Sequence, residues 1–62
     1  MMPDEPLFFK ALGLAQMELG RYAKALATLE EGASRAPRDA EFKSLMETVR
    51  AKMSAAKRTQ RT

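Results

Sequence analysis

Residues 6–39 read PLFFKALGLAQMELGRYAKALATLEEGASRAPRD, and this stretch decides the fold. From Leu7 onward strong helix formers dominate, and Phe8, Phe9, Leu12, Ala15 and Leu19 recur at spacings of three and four. Gly20 follows the last apolar position, where helices often end in a left-handed residue that glycine adopts without steric penalty. The spacing predicts a first helix over about residues 7–19. A second begins at Arg21 or Tyr22 and runs to about Arg35. Its apolar stripe is Tyr22, Ala25, Leu26, Leu29, Gly32, Ala33 and Ala36, with Lys24, Glu30 and Glu31 outside. Pro37 stops it, having no amide hydrogen and disfavouring a helical residue before it. With only one or two residues between them, the two helices are predicted to be antiparallel neighbours.

Working outward, Pro3 and Pro6 precede the first helix, and Asp4 and Glu5 lie where a helix start favours negative charge. Beyond Pro37, Asp39 is placed to cap a third helix, in which Phe42, Leu45, Met46, Val49 and Met53 repeat at three and four. The stripe weakens after Met53. Ser54 to Thr62 is small, basic and polar, and is expected to fray into a disordered tail. No segment alternates as a strand would. The predicted architecture is all-α, with a lead-in at 1–5, a helical hairpin at 6–39, a third helix at 40–55 and a basic tail at 56–62.

The order of small and large residues in the hairpin is more specific than amphipathicity requires. Counting from Pro6 through the 34 positions to Asp39, position four is Phe9, seven Leu12, eight Gly13 and fifteen Gly20. Tyr22, Ala25, Leu29, Gly32 and Pro37 then fall at seventeen, twenty, twenty-four, twenty-seven and thirty-two. This register resembles the tetratricopeptide repeat, with its aromatic, Leu-Gly, Tyr and later Ala, aromatic and Pro. The departures are Gln16 where the family prefers Tyr, Leu29 where it prefers an aromatic, and Gly32 where it prefers Ala.

The resemblance implies a hairpin of the right-handed α-solenoid type. Gly13 and Ala25 would be small where the two helices approach, Phe9, Leu12, Tyr22 and Leu29 would fill the space around them, and Gly32 would leave room for the helix that follows. Glycine costs about 1 kcal/mol against alanine inside a helix, which argues that the room is needed. Continuing the register from Ala40, Glu47 stands at the small position, so the third helix resembles the capping helix that closes such arrays.

By the same resemblance, the first helix would present Leu7, Lys10, Leu14, Met17 and Glu18 to a partner peptide or helix. A subset of the family clamps C-terminal carboxylates with Lys and Asn at positions five and nine. Lys10 fits the first and Leu14 does not fit the second, so that activity is not expected.

Composition narrows the chemistry. The chain has 62 residues, no cysteine and no histidine, which removes disulfides, thiolate metal sites and the commonest general base. Glu30 and Glu31 point to different sides of their helix and cannot share a substrate, and the glycines belong to no phosphate-binding loop. No catalytic set, cofactor or metal is expected, and the protein is not read as an enzyme.

Residues 1–49 carry six basic residues against eight acids, a balance of −2, while residues 50–62 carry five basic residues and no acid, +5. Lys57, Arg58 and Arg61 could touch phosphate or an acidic protein surface. Without an interleaved aromatic residue they imply at most weak, salt-sensitive nucleic-acid contact, and such ends are more often solvated tails. No segment approaches the roughly 20 apolar residues of a membrane span. A cytoplasmic setting without membrane partners is the expectation.

The reading is a non-catalytic protein–protein interaction module whose partner is another protein or peptide. One hairpin with a cap makes a marginal core. That leaves three explanations: an end piece of a longer array, a designed minimal repeat, or a chain that completes its core as a homodimer. A nucleic-acid-associated protein using its basic end and a purely structural oligomerisation element are the alternatives.

Overall fold

The computed structural model describes residues 5–59, with side chains as far as Ala56. It contains α1 (Pro6–Glu18), α2 (Tyr22–Arg35) and α3 (Glu41–Thr59), and no strand among the described residues. An antiparallel helical hairpin followed by a third helix is the architecture that the sequence predicts.

Each helix boundary has a local cause. Pro6 occupies the first position of α1, where a missing amide hydrogen is no loss. The Glu5 carbonyl accepts from Phe8 at 3.0 Å, while the Glu5 side chain makes no capping bond. At the other end Gly20 has φ +80°. Its amide donates to the Met17 carbonyl and the Arg21 amide to the Gln16 carbonyl, both at 2.9 Å. That pair of bonds is the Schellman closure, which satisfies carbonyls the helix itself cannot and turns the chain into α2 within three residues. Helix α2 closes with the Ala36 amide on the Gly32 carbonyl at 2.9 Å, and Pro37 follows. The Asp39 carboxylate then accepts the Glu41 amide at 3.1 Å, supporting the first turn of α3 as a capping side chain does.

Helix α3 differs from its expected extent. It runs to Thr59, past Ala55, and takes in most of the segment expected as a disordered tail. Ala55, Ala56, Lys57 and Arg58 are good helix formers with no breaker among them, so the backbone continues helical after the apolar stripe has ended. The lead-in at 1–4 and the end of the tail at 60–62 lie outside the described residues.

Helix α2 is the middle of the packing. It lies along α1 on one side and α3 on the other, while α1 and α3 meet only narrowly. The core is Met17 from α1, Ala25 and Leu29 from α2, and Phe42 and Val49 from α3, with Phe9, Tyr22, Leu26, Ala33, Ala36, Leu45 and Met46 packed against it. Two glycines let these helices come close. A methyl group at Gly13 would stand 2.7 Å from Leu29 Cδ2, and one at Gly32 would stand 2.7 Å from both Phe42 Cζ and Phe9 Cβ. Real side chains do not approach so closely, so Leu29 and Phe42 fill space that the missing β-carbons leave open. Between α1 and α2, the Thr28 hydroxyl donates to the Gln16 side-chain oxygen at 2.6 Å, half-buried. This bond accounts for the polar residue at position eleven, where an aromatic was the family preference.

Candidate protein-interaction face

Helix α1 is apolar nearly all the way round, so hydrophobic periodicity alone does not say which side of it is buried. Gly13 and Met17 are its buried residues. Successive residues step about 100° around a helix axis, so Gly13 and the neighbouring Phe9 and Met17 set the inward direction. Ala11 and Ala15 fall nearly opposite, each about 160° from Gly13 on that geometry, and both are exposed. Leu7 and Leu14 flank them on one side, Leu12 and Leu19 on the other. Their exposures are 60%, 38%, 38% and 72%. Phe8 is half-buried and sets its ring edge-on to Phe9, with centroids 5.4 Å apart. The outward side of α1 is therefore largely apolar, with small residues on its midline and leucines on its flanks, and carries exposed Glu18, about 140° from Gly13, near its C-terminal end.

This arrangement redistributes the residues expected from the sequence. Of the five assigned to a partner face, Leu7, Leu14 and Glu18 are exposed on α1. Met17 is instead a core residue, 7% exposed, because it lies on the Gly13 side of the helix. Lys10 is engaged within the chain. Its ammonium is 2.7 Å from Asp39 Oδ2 and 2.5 Å from Glu41 Oε1, and lies 5.4 Å from the centroid of the Phe42 ring. The apolar stripe expected to face the core divides as well: Phe9 packs inward, whereas Leu12, Ala15 and Leu19 are exposed. Of the residues expected to pack the repeat, Gly13, Ala25, Leu29 and Gly32 are buried, Phe9 and Tyr22 half-buried, and Leu12 and Pro37 exposed. The side chains of Lys57 and Arg58, and Arg61 altogether, lie outside the described residues. A shallow open depression beside the α1–α2 turn is lined by Met17, Glu18, Tyr22 and Lys52.

The match to the tetratricopeptide-repeat family model spans residues 1–49, which takes in both helices of the hairpin and α3 as far as Val49, its last fully buried residue. The chain belongs to the tetratricopeptide-repeat family. Searches of curated proteins and of solved structures returned no match.

In this tetratricopeptide repeat Lys10 pins the hairpin to the start of α3. Hydrogen bonds that its ammonium donates to Asp39 and Glu41 hold its pKa above the ordinary 10.5, against the opposing effect of desolvation. The same Lys10 bond, helped by the Glu41 amide, holds the Asp39 carboxyl below 3.8. A lowered carboxyl pKa contributes stability above 3.8 that disappears as pH falls through the folded value; a raised ammonium pKa contributes stability below 10.5 that disappears as pH rises through the folded value. Melting temperatures of the native protein and Lys10→Met are therefore expected to differ by a few degrees across neutral pH. The gap should close in acid as Asp39 protonates and again in strong alkali. An offset that stays constant at every pH would mean that Lys10 acts through packing alone.

No helix of the described residues is long and apolar enough to cross a membrane. The outward arc of α1 is not such a segment: it is one side of a 13-residue helix whose other side is already buried in the core.

Proposed function

We propose that this protein is a non-catalytic protein–protein interaction module, and that the outward face of α1 is where it engages its partner. One observation carries the reading. Leu7, Leu12, Leu14 and Leu19, with Ala11 and Ala15 between them, form a largely apolar strip along α1 and its C-cap, and large exposed apolar patches mark interaction sites. The rest of the molecule contrasts with it. The exposed side of α2 carries Lys24, Glu30, Glu31 and Arg35, and that of α3 carries Glu41, Lys43, Glu47 and Arg50. Helix α3 thus acts as a cap, turning apolar residues inward and charge outward, and leaves α1 as the open end of the repeat. Membership of a family of protein-interaction scaffolds supports the same reading.

The test is a photo-reactive amino acid placed at Leu14, or at Ser44 on the outer side of α3, in the expressing cell. Position 14 is expected to give discrete protein adducts upon irradiation and position 44 few or none. Equal yields at the two positions, or no adduct at position 14, would remove α1 from any interface.

A further inference from the structure

We infer that the outward face of α1 is covered by the same face of a second copy of this chain, with the two α1 helices antiparallel across a two-fold axis. The inference rests on the interaction reading above and names the partner.

Three observations point to a copy. The first is the balance of the face about its own midpoint. Turning α1 end for end about the level of Gly13 exchanges Leu7 with Leu19, Ala11 with Ala15 and Leu12 with Leu14, and, as the one unlike pair on this face, Phe8 with Glu18. A reversed copy therefore covers the strip from one end to the other, with alanines on the midline for close approach. Leu12 then meets Leu12 and Leu14 meets Leu14 of the copy beside the axis. The second is that, among the described residues, the large exposed apolar side chains all lie on this one face. Head-to-tail association would lay α1 on the outer side of α3, burying the apolar strip against Lys43, Glu47 and Arg50. Pairing like with like avoids this, and a like-with-like contact closes after two copies.

The third is charge. Helix α1 has Glu5 at its N-cap but no acidic residue within its first turn, where the positive end of its dipole lies. Glu18, exposed near the other end, is brought by an antiparallel pairing to the level of that first turn on the second copy. A parallel pairing would instead bring the two Glu18 carboxylates to one end and align the dipoles.

The size of the contact sets its strength. A strip of 13 residues is about 20 Å long and one helix wide, at the small end of specific interfaces. The dimer is therefore concentration-dependent, and the monomer keeps its fold.

The test uses the full purified chain, whose lack of cysteine gives a clean background. Sedimentation equilibrium should show a reversible monomer–dimer exchange with helicity unchanged across it. Ala15→Glu, at an exposed position, should weaken the dimer at least tenfold without loss of helicity. Orientation is read from single-cysteine variants and a short bismaleimide. In the antiparallel pair the two residues 14 are about 3 Å apart along the axis and the two residues 19 about 18 Å, at 1.5 Å per residue. Leu14→Cys should therefore link efficiently and Leu19→Cys should not. A monomer at every concentration, a dimer indifferent to Ala15→Glu, or linking at 19 equal to that at 14 would overturn the inference. Monomeric protein that still yields adducts to another protein from position 14 would sink self-association while leaving the interaction module standing.

Discussion

Replacing Phe42 with alanine is expected to leave much of the protein unfolded at room temperature. Phe42 is fully buried, and it is the side chain through which α3 enters the hairpin: its ring fills the space above Gly32 and lies beneath the Lys10 ammonium. Truncating a packed phenylalanine costs about 3–5 kcal/mol, the transfer of the ring plus the cavity left behind. A domain of 62 residues has roughly 3–9 kcal/mol in total, so the loss takes most of it. Without the ring, Val49 is the only fully buried side chain that α3 still contributes among the described residues. Urea unfolding followed by circular dichroism measures the effect. A midpoint close to that of the native chain would show that the α1–α2 hairpin is stable without the third helix.

Gly32→Ala is expected to destabilise the protein by about 1–2 kcal/mol, the lower part of the range for overpacking a core. On helix propensity alone the sign would be opposite, since alanine in a helix is favoured over glycine by about 1 kcal/mol. Space decides against it. The new methyl would sit 2.7 Å from Phe42 Cζ and 2.7 Å from Phe9 Cβ. A ring tip can tilt, but Phe9 Cβ moves only with the backbone of α1, so relief requires the helices to part. The same substitution in a Phe42→Leu background should cost less, because part of the obstruction has gone and neighbouring sites couple. The double-mutant cycle in urea reads this directly. Stabilisation by Gly32→Ala in the native background would mean that the helices pack more loosely than the structure has them.

These two residues also mark how much was legible in the chain. Gly32 and Pro37 stand at register positions with a defined steric meaning, and Phe42 begins a helical stripe just beyond them, so the third helix could be set against the second from spacing alone. Gly20 is equally explicit, because few residues other than glycine adopt a φ of +80°. Residues in α1 gave no such guidance. Met17 and Leu14 are both apolar and belong to the same helix, yet one is in the core and the other open, and Leu12 and Leu19 are open where a core stripe was expected. A helix that is apolar on nearly every side carries little periodicity to orient it. Gly13 held the missing signal. A glycine that must accept Leu29 against its backbone points inward, and the residues opposite it, Ala11 and Ala15 with their flanking leucines, must point out. The ion pairs of Lys10 were not legible for a different reason: its partners Asp39 and Glu41 are about thirty residues away in the chain, and no local pattern joins them.

The sequence by itself determined the three helices, the antiparallel pairing of the first two and the family. These depend on short-range causes: proline and glycine at helix ends, apolar spacing within each helix, and small residues where helices cross. Only the tertiary structure decided which side of α1 remains open, that Lys10 belongs to the joint with α3, and that Met17 belongs to the core. Those outcomes follow from which surfaces of three helices can be buried together at once. Leu29 fills the space beside Gly13 and Phe42 that beside Gly32, and the side of α1 opposite Gly13 is what that packing leaves uncovered.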